Sequence, residues 1–266
     1  MQKPAVNLMV KAARLGGNVI LRHMSKLDTL NIVEKSRQDY ASEVDSLAEK
    51  EIIRELKRAT PDYAFLAEES GQQGKSRYTW VIDPLDGTSN YLRGLPHFCV
   101  SIALLEDKEP IHGVVFDPLR NELFTASKGR GAFLNDRRIR VSKRIRLNES
   151  LIGTGFPFRQ FDHVDAYLAM FRELTQKTAG IRRPGSAALD LAWLACGRID
   201  GFWEMGLSPW DMAAGVLLIQ EAGGLVSDLA GESDYMTTGN VVAGTPKIFT
   251  QLLPIIQAWR PATLQA

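Results

Sequence analysis

Cysteine and one-sided charge are what this chain of 266 residues has least of. Its two cysteines, Cys99 and Cys196, lie in apolar segments and lack metal-ligand spacing. A disulfide-stapled fold and a thiolate zinc site are therefore excluded, and buried, reduced thiols are expected. Lys+Arg 32 against Asp+Glu 31 leave a net charge of +1, so no global field selects a nucleic acid or an anionic membrane. Long apolar runs are missing too. No segment reaches membrane-spanning length, and Met1-Gln2-Lys3-Pro4 lacks the apolar stretch of a signal peptide, so a cytoplasmic protein with no membrane partner is expected. Internal repeats and low-complexity segments are also absent. The length admits one large domain or two fused lobes with ample core.

What is present alternates between helix and strand signals. Ala5 to Met24 places Val6, Met9, Val10, Ala13, Val19 and Ile20 at helical spacing, and Glu43 to Ala59 does the same with Val44, Leu47, Ile52, Ile53 and Leu56 before Pro61. Strands are predicted at 64–67, 78–82, 98–105, 113–116 and 122–126, and later at 151–154, 201–204, 225–227 and 241–243. Helices are predicted at about 163–178, 186–196 and 211–222, with a closing helix from Pro246. The basic stretch 137–148 reads as a surface hairpin more than a linker.

The most informative segment is Trp80-Val81-Ile82-Asp83-Pro84-Leu85-Asp86-Gly87-Thr88-Ser89-Asn90. Its apolar start reads as a short buried strand, which Pro84 and Gly87 should end. Asp83 and Asp86, three apart on a bend, can converge on one point. Convergent carboxylates repel and are costly to desolvate, so a cation between them is expected, and the oxygen-only donors favour Mg²⁺, Ca²⁺ or Mn²⁺ over zinc. Gly87, Thr88 and Ser89 then offer the N–H groups and hydroxyls that hold a phosphate. Taken alone, the segment also fits an Asp-Pro/Asp-Gly turn closing a strand.

Further motifs accompany it: Glu68-Glu69-Ser70 upstream, and downstream Asn121-Glu122-Leu123-Phe124, Gly185-Ser186-Ala187-Ala188 and Trp210-Asp211-Met212-Ala213-Ala214-Gly215. In this order and spacing, from Ala12 to about Gly244, the chain resembles the inositol monophosphatase family of Mg²⁺-dependent, lithium-sensitive phosphatases. Its nearest likeness is to the bacterial inositol-1-monophosphatases of the extragenic-suppressor type. The resemblance implies an α/β fold, an αβαβα five-layer sandwich. It implies a single domain over 1–266 with two fused lobes, about 1–150 and 151–266.

The resemblance also implies roles. Glu68, Asp83, the Leu85 carbonyl, Asp86 and Asp211 would hold two or three Mg²⁺ ions. Thr88 would orient an attacking water, with Asp45 taking its proton. Asp86, Gly87, Thr88, Gly185, Ala187, Glu204 and Asp211 would line the substrate. Without the resemblance, Asp45 is an exposed helix acid, Asp211 a carboxylate favoured by a helix N-terminus, and Gly185-Ser186-Ala187 ordinary capping. Ser42, Ser89 and Tyr91 replace the family's usual Thr, Thr and Phe while keeping a hydroxyl or a ring, and Pro184 stands where a hydroxyl residue is frequent.

The implied reaction is hydrolysis of myo-inositol 1-phosphate or another sugar phosphate by water activated at the metal site. Fructose-1,6-bisphosphatase or nucleotide 3′-phosphatase activity is the alternative within enzymes. The resemblance also implies a homodimer. A different class of role comes from the same resemblance: transcription antitermination on ribosomal RNA operons, through partner proteins, RNA polymerase or RNA. Arg137, Arg138, Arg140, Lys143, Arg144, Arg146, Arg182 and Arg183 could serve it, or could form a solvated face.

Overall fold

The computed structural model describes residues 4–29, 32–36, 39–157, 161–261 and 263. Five layers follow from where the apolar faces point. Pro4–His23 and Glu43–Ala59 are amphipathic helices that pack on each other and on one face of a large sheet. That sheet has eight strands, in the order Arg137–Ile139, Gly131–Leu134, Glu122–Ser127, Glu109–Asp117, Cys99–Glu106, Tyr78–Asp86, Ala64–Ala67, Gly71–Gln73. The pairing is antiparallel except between Ala64–Ala67 and Tyr78–Asp86.

The middle layer is the helices Ala187–Ala195 and Pro209–Glu221. Both are apolar nearly all round, as a helix covered on every side must be. The acids Asp190 and Asp211 are buried on them against that trend. A five-stranded sheet follows, ordered Gly180–Arg182, Leu151–Thr154, Gly201–Glu204, Val241–Gly244, Leu225–Ser227, with its first three strands parallel. Val164–Lys177 and Pro246–Ala258 cover its outer face. Three apolar clusters fill the gaps between layers: one around Trp80 and Ile52 under the first helices, one around Leu191 and Phe202 on both sides of the middle helices, and one around Trp203 and Leu252 under the last helices. No helix among the described residues is long and apolar enough to cross a membrane.

One expectation is corrected at the motif. The strand does not stop at Ile82 but runs from Tyr78 to Asp86, pairing Asp83 with Ser101 and Asp86 with Cys99. The register shifts between Asp83 and Asp86, so Pro84 sits in a bulge where the ladder needs no N–H from it. The basic stretch is also only half a hairpin. Arg137–Ile139 pairs with Gly131–Leu134 across Asn135 and Asp136, both at positive φ, while residues 140–146 form an irregular connection.

Candidate active site

The bulge aims the motif's acids at one place. Leu85 N donates to Asp83 Oδ1 at 3.0 Å across it. Glu68 follows the neighbouring parallel strand, its N–H held by the Ile82 carbonyl at 3.1 Å. Asp211 arrives on the first turn of Pro209–Glu221, and its Oδ2 accepts from Ser208 N at 2.7 Å. Carboxylate oxygens of Asp83, Asp86 and Asp211 lie within 4.8 Å of one another. Glu68 lines the same pocket without belonging to that trio.

The trio's electrostatics are unfavourable without a counterion. Burial, then the charges of Glu68, Asp86 and Asp211, push the Asp83 carboxyl well above its ordinary range. Burial lifts Asp86 to about 6, opposed by hydrogen bonds from Ser186 and Ala188. Four oxygen-bearing acids around one cavity, with no nitrogen or sulfur donor in the trio, form a donor set for a hard divalent cation.

Thr88 stands beside this group, and Asp45 lies behind it. Gly87 turns the chain at φ 95°, where a side chain would also meet the His97 carbonyl at 2.8 Å. The helix Thr88–Leu92 starts immediately after. Thr88 Oγ1 donates to Asp45 Oδ1 at 2.8 Å, with the Leu85 carbonyl at 3.0 Å. Asp45 is buried rather than an exposed helix acid, because it closes a capping box at the start of Glu43–Ala59. Its Oδ2 accepts from Ser42 N at 2.8 Å and Ser42 Oγ at 2.7 Å. Burial raises the Asp45 pKa, and the Ser42 and Thr88 bonds work against that rise. One turn on, Glu49 Oε2 takes the Glu69 N–H at 2.8 Å.

All other residues expected at the site line one cavity of about 320 Å³: Leu85, Gly87, Gly185, Ala187 and Glu204 join the acids and Thr88 there. Glu204 ends a strand of the second sheet, so the pocket is built where the two sheets and the middle helices meet. Burial pushes the Glu204 carboxyl well up, and the Arg183 charge pulls it back. Pro184 contributes its carbonyl, which accepts from Asn90 Nδ2 at 2.9 Å.

Sequence reasoning missed several participants. Asn90 Nδ2 also reaches the His97 carbonyl at 2.8 Å, pinning three loops together. Asp190 lines the pocket and faces His97 Nε2 at 2.9 Å; a lone acid inside an apolar helix was the available signal. Gly155 admits Glu204, whose Oε1 would lie 1.8 Å from a Cβ there. That contact joins distant segments, and local sequence carries no sign of it. Arg183 is exposed and also lines the pocket, with its guanidinium 5.0 Å from the Phe156 ring centre. Arg182 is exposed, as are Arg137, Arg138, Arg140, Lys143, Arg144 and Arg146, although Arg144 and Arg146 bond Glu149. Cys99 and Cys196 are free thiols, the first buried and the second half-buried.

Known proteins resemble this chain in sequence and in fold. The model of the inositol monophosphatase family matches residues 1–259. The chain is 61% identical over 231 residues to a Nus factor SuhB of Xylella fastidiosa, covering 87% of this chain and 84% of that one. It is 52% identical over 269 residues to a Nus factor SuhB of Pseudomonas aeruginosa, covering 99% of each. Among solved structures, the extragenic suppressor protein suhB of Bartonella henselae superposes with a TM-score of 0.93 at 44% identity, over 96% of this chain and 99% of that one. An inositol monophosphatase from Anabaena gives 0.86 at 39% identity, over 97% and 96%.

Proposed function

This chain belongs to the inositol monophosphatase family, and from that premise we propose that it is a Mg²⁺-dependent phosphomonoesterase acting on myo-inositol 1-phosphate or a closely related polyol phosphate. The observation that carries the reading is the Thr88–Asp45 hydrogen bond of 2.8 Å set beside the Asp83, Asp86 and Asp211 trio. The donor set fits the metal: Glu68, Asp83, Asp86, Asp211 and the Leu85 carbonyl would hold two or three ions. When bound, Mg²⁺ supplies charge that neutralises the phosphoryl oxygens and lowers the pKa of the attacking water.

The chain's own groups do the rest. Thr88 has one hydroxyl proton, and Asp45, a charged acceptor, is the nearer of its two partners. With that proton committed, a lone pair of Thr88 Oγ1 is left to accept from water on the pocket side. Asp45 is the sink for the proton relayed through Thr88, its other oxygen held still by Ser42. Glu204 accepts a substrate hydroxyl, and the backbone of Gly185 and Ala187 flanks the ring. Phosphate release from a panel of inositol, fructose, glycerol and nucleotide phosphates, with and without Mg²⁺, tests this reading. Dominant turnover of fructose 1,6-bisphosphate or a nucleotide 3′-phosphate would replace the substrate while keeping the chemistry. The active species is proposed as a cytoplasmic homodimer, to be checked by light scattering.

A second role is favoured by the Nus factor names of the relatives and by the exposed basic strip of residues 137–146. We propose that this strip contacts the transcription antitermination machinery. Arg137→Glu with Lys143→Glu should abolish capture of transcription proteins from a lysate and leave phosphate release intact. Unchanged capture would remove the strip from that role.

A further inference from the structure

Ser186 occupies the N-cap position of the Ala187–Ala195 helix, yet its hydroxyl makes no bond to that helix. It donates instead to Asp86 Oδ2 at 2.7 Å. The Ala188 N–H, a helix donor that an N-cap side chain would ordinarily satisfy, donates to the same oxygen at 2.7 Å. Asp86 therefore caps, from 100 residues away, a helix whose own cap residue has turned to support it. Cys99 Sγ is a longer third contact at this point, 4.0 Å from Asp86 Oδ2 and 3.6 Å from Ser186 Oγ. Ser186 and Cys99 are both buried.

Both short bonds fall on Oδ2, so that oxygen is held and Oδ1 is the one they leave for a cation. We infer that Ser186 is a positioning residue, which orients Asp86 toward the metal and ties that carboxylate to the helix start lining the substrate half of the pocket. The inference rests on the Mg²⁺-dependent reading of the site. Without the hydroxyl, Asp86 keeps only the Ala188 N–H as a short donor, and its plane can rotate toward the helix N-terminus and away from the other acids. The coupling runs both ways. A cation that holds Oδ1 also holds the cap, and with it the Gly185–Ala187 backbone.

The test is a Mg²⁺ titration of the full chain followed by thermal melting, for wild type, Ser186→Ala and Ser186→Thr, alongside phosphate release. The Mg²⁺ concentration at which the melting temperature begins to rise above its metal-free value should increase about 10–100-fold in Ser186→Ala, the scale of losing a partner of a metal-ligating group. Ser186→Thr keeps the hydroxyl and should restore both that onset and turnover. A purely structural contact would lower the melting temperature at every Mg²⁺ concentration without moving the onset, and that result overturns the proposal. Absence of any Mg²⁺ stabilisation in wild type instead overturns the metal reading, and this inference with it.

Discussion

Thr88 and Asp45, 43 residues apart in the chain, are joined by a 2.8 Å hydrogen bond that places a helix-capping carboxylate directly behind the pocket. Thr88→Ala deletes that link and leaves every pocket acid in place. Turnover should fall about 10²–10⁴-fold, the scale of lost general-base assistance, while Mg²⁺-induced stabilisation stays at the wild-type level. Steady-state phosphate release and thermal melting check the two halves. Near-normal turnover would remove Thr88 from the proton path.

The trio's mutual repulsion has a consequence for stability. Asp83 is disfavoured as an anion in the metal-free fold by burial and by its neighbours' charges. Asp83→Asn keeps an acceptor for Leu85 N and removes the charge, so the metal-free variant should melt higher than wild type, by about 2–4 °C for each kcal/mol of relieved repulsion. Added Mg²⁺ should reverse the order, and turnover should drop by at least about 10²-fold. Melting curves recorded with chelator and with Mg²⁺ decide it. A metal-free variant less stable than wild type would contradict the repulsion argument.

Gly155 and Glu204 cannot both keep their places if a methyl group is added, since the Cβ would fall 1.8 Å from Glu204 Oε1. Gly155→Ala should displace the Glu204 carboxylate from the substrate half while leaving Thr88 and the trio alone. The expected result is a raised KM for a polyol phosphate, about 10-fold or more for a lost charged hydrogen bond, with a smaller change in kcat. An unchanged KM would remove Glu204 from substrate binding.

His97 predicts a specific acid sensitivity. It is buried with its Nε2 against Asp190 and its ring 4.7 Å from that of Trp193, and Arg120, Asp117 and Asp86 act on it through space. Burial dominates and pushes its pKa down from 6.5 to about 4. Between those values the unfolded chain binds a proton that the folded chain refuses. The stability this neutral histidine contributes is complete above pH 6.5 and is lost as pH falls toward 4. His97→Gln should therefore show a shallower decline in Tm from about pH 7 to about pH 4.5 than wild type. Parallel declines in the two proteins would contradict it.

The segments with a strong period were legible in the sequence, and the junctions between layers were not. Glu43–Ala59, Ala64–Ala67, Leu151–Thr154 and Gly201–Glu204 fall at their predicted bounds, because each has a clear apolar pattern between turn or capping residues. The strand through Pro84 was cut short because a proline reads as a stop unless the bulge that accommodates it is known. At the site, the acids, Thr88 and Glu204 were reachable through motifs. The supporting partners were not. Asn90 bonds the Pro184 carbonyl, Ser186 bonds Asp86, and Gly155 makes room for Glu204, all across distant segments with no local periodicity to betray them. Asp190 is different, because an acid in an all-apolar helix could have been read as a pocket residue from sequence alone.

The central claim is that the acid pocket hydrolyses phosphate monoesters only with its metal in place. Phosphate release from myo-inositol 1-phosphate, measured for the same preparation after chelation and again after Mg²⁺ is restored, tests it most directly. Activity should be absent in the first measurement, return in the second, and fail to return in Asp211→Asn. Equal release in chelator and in Mg²⁺, or full activity in Asp211→Asn, would contradict the account.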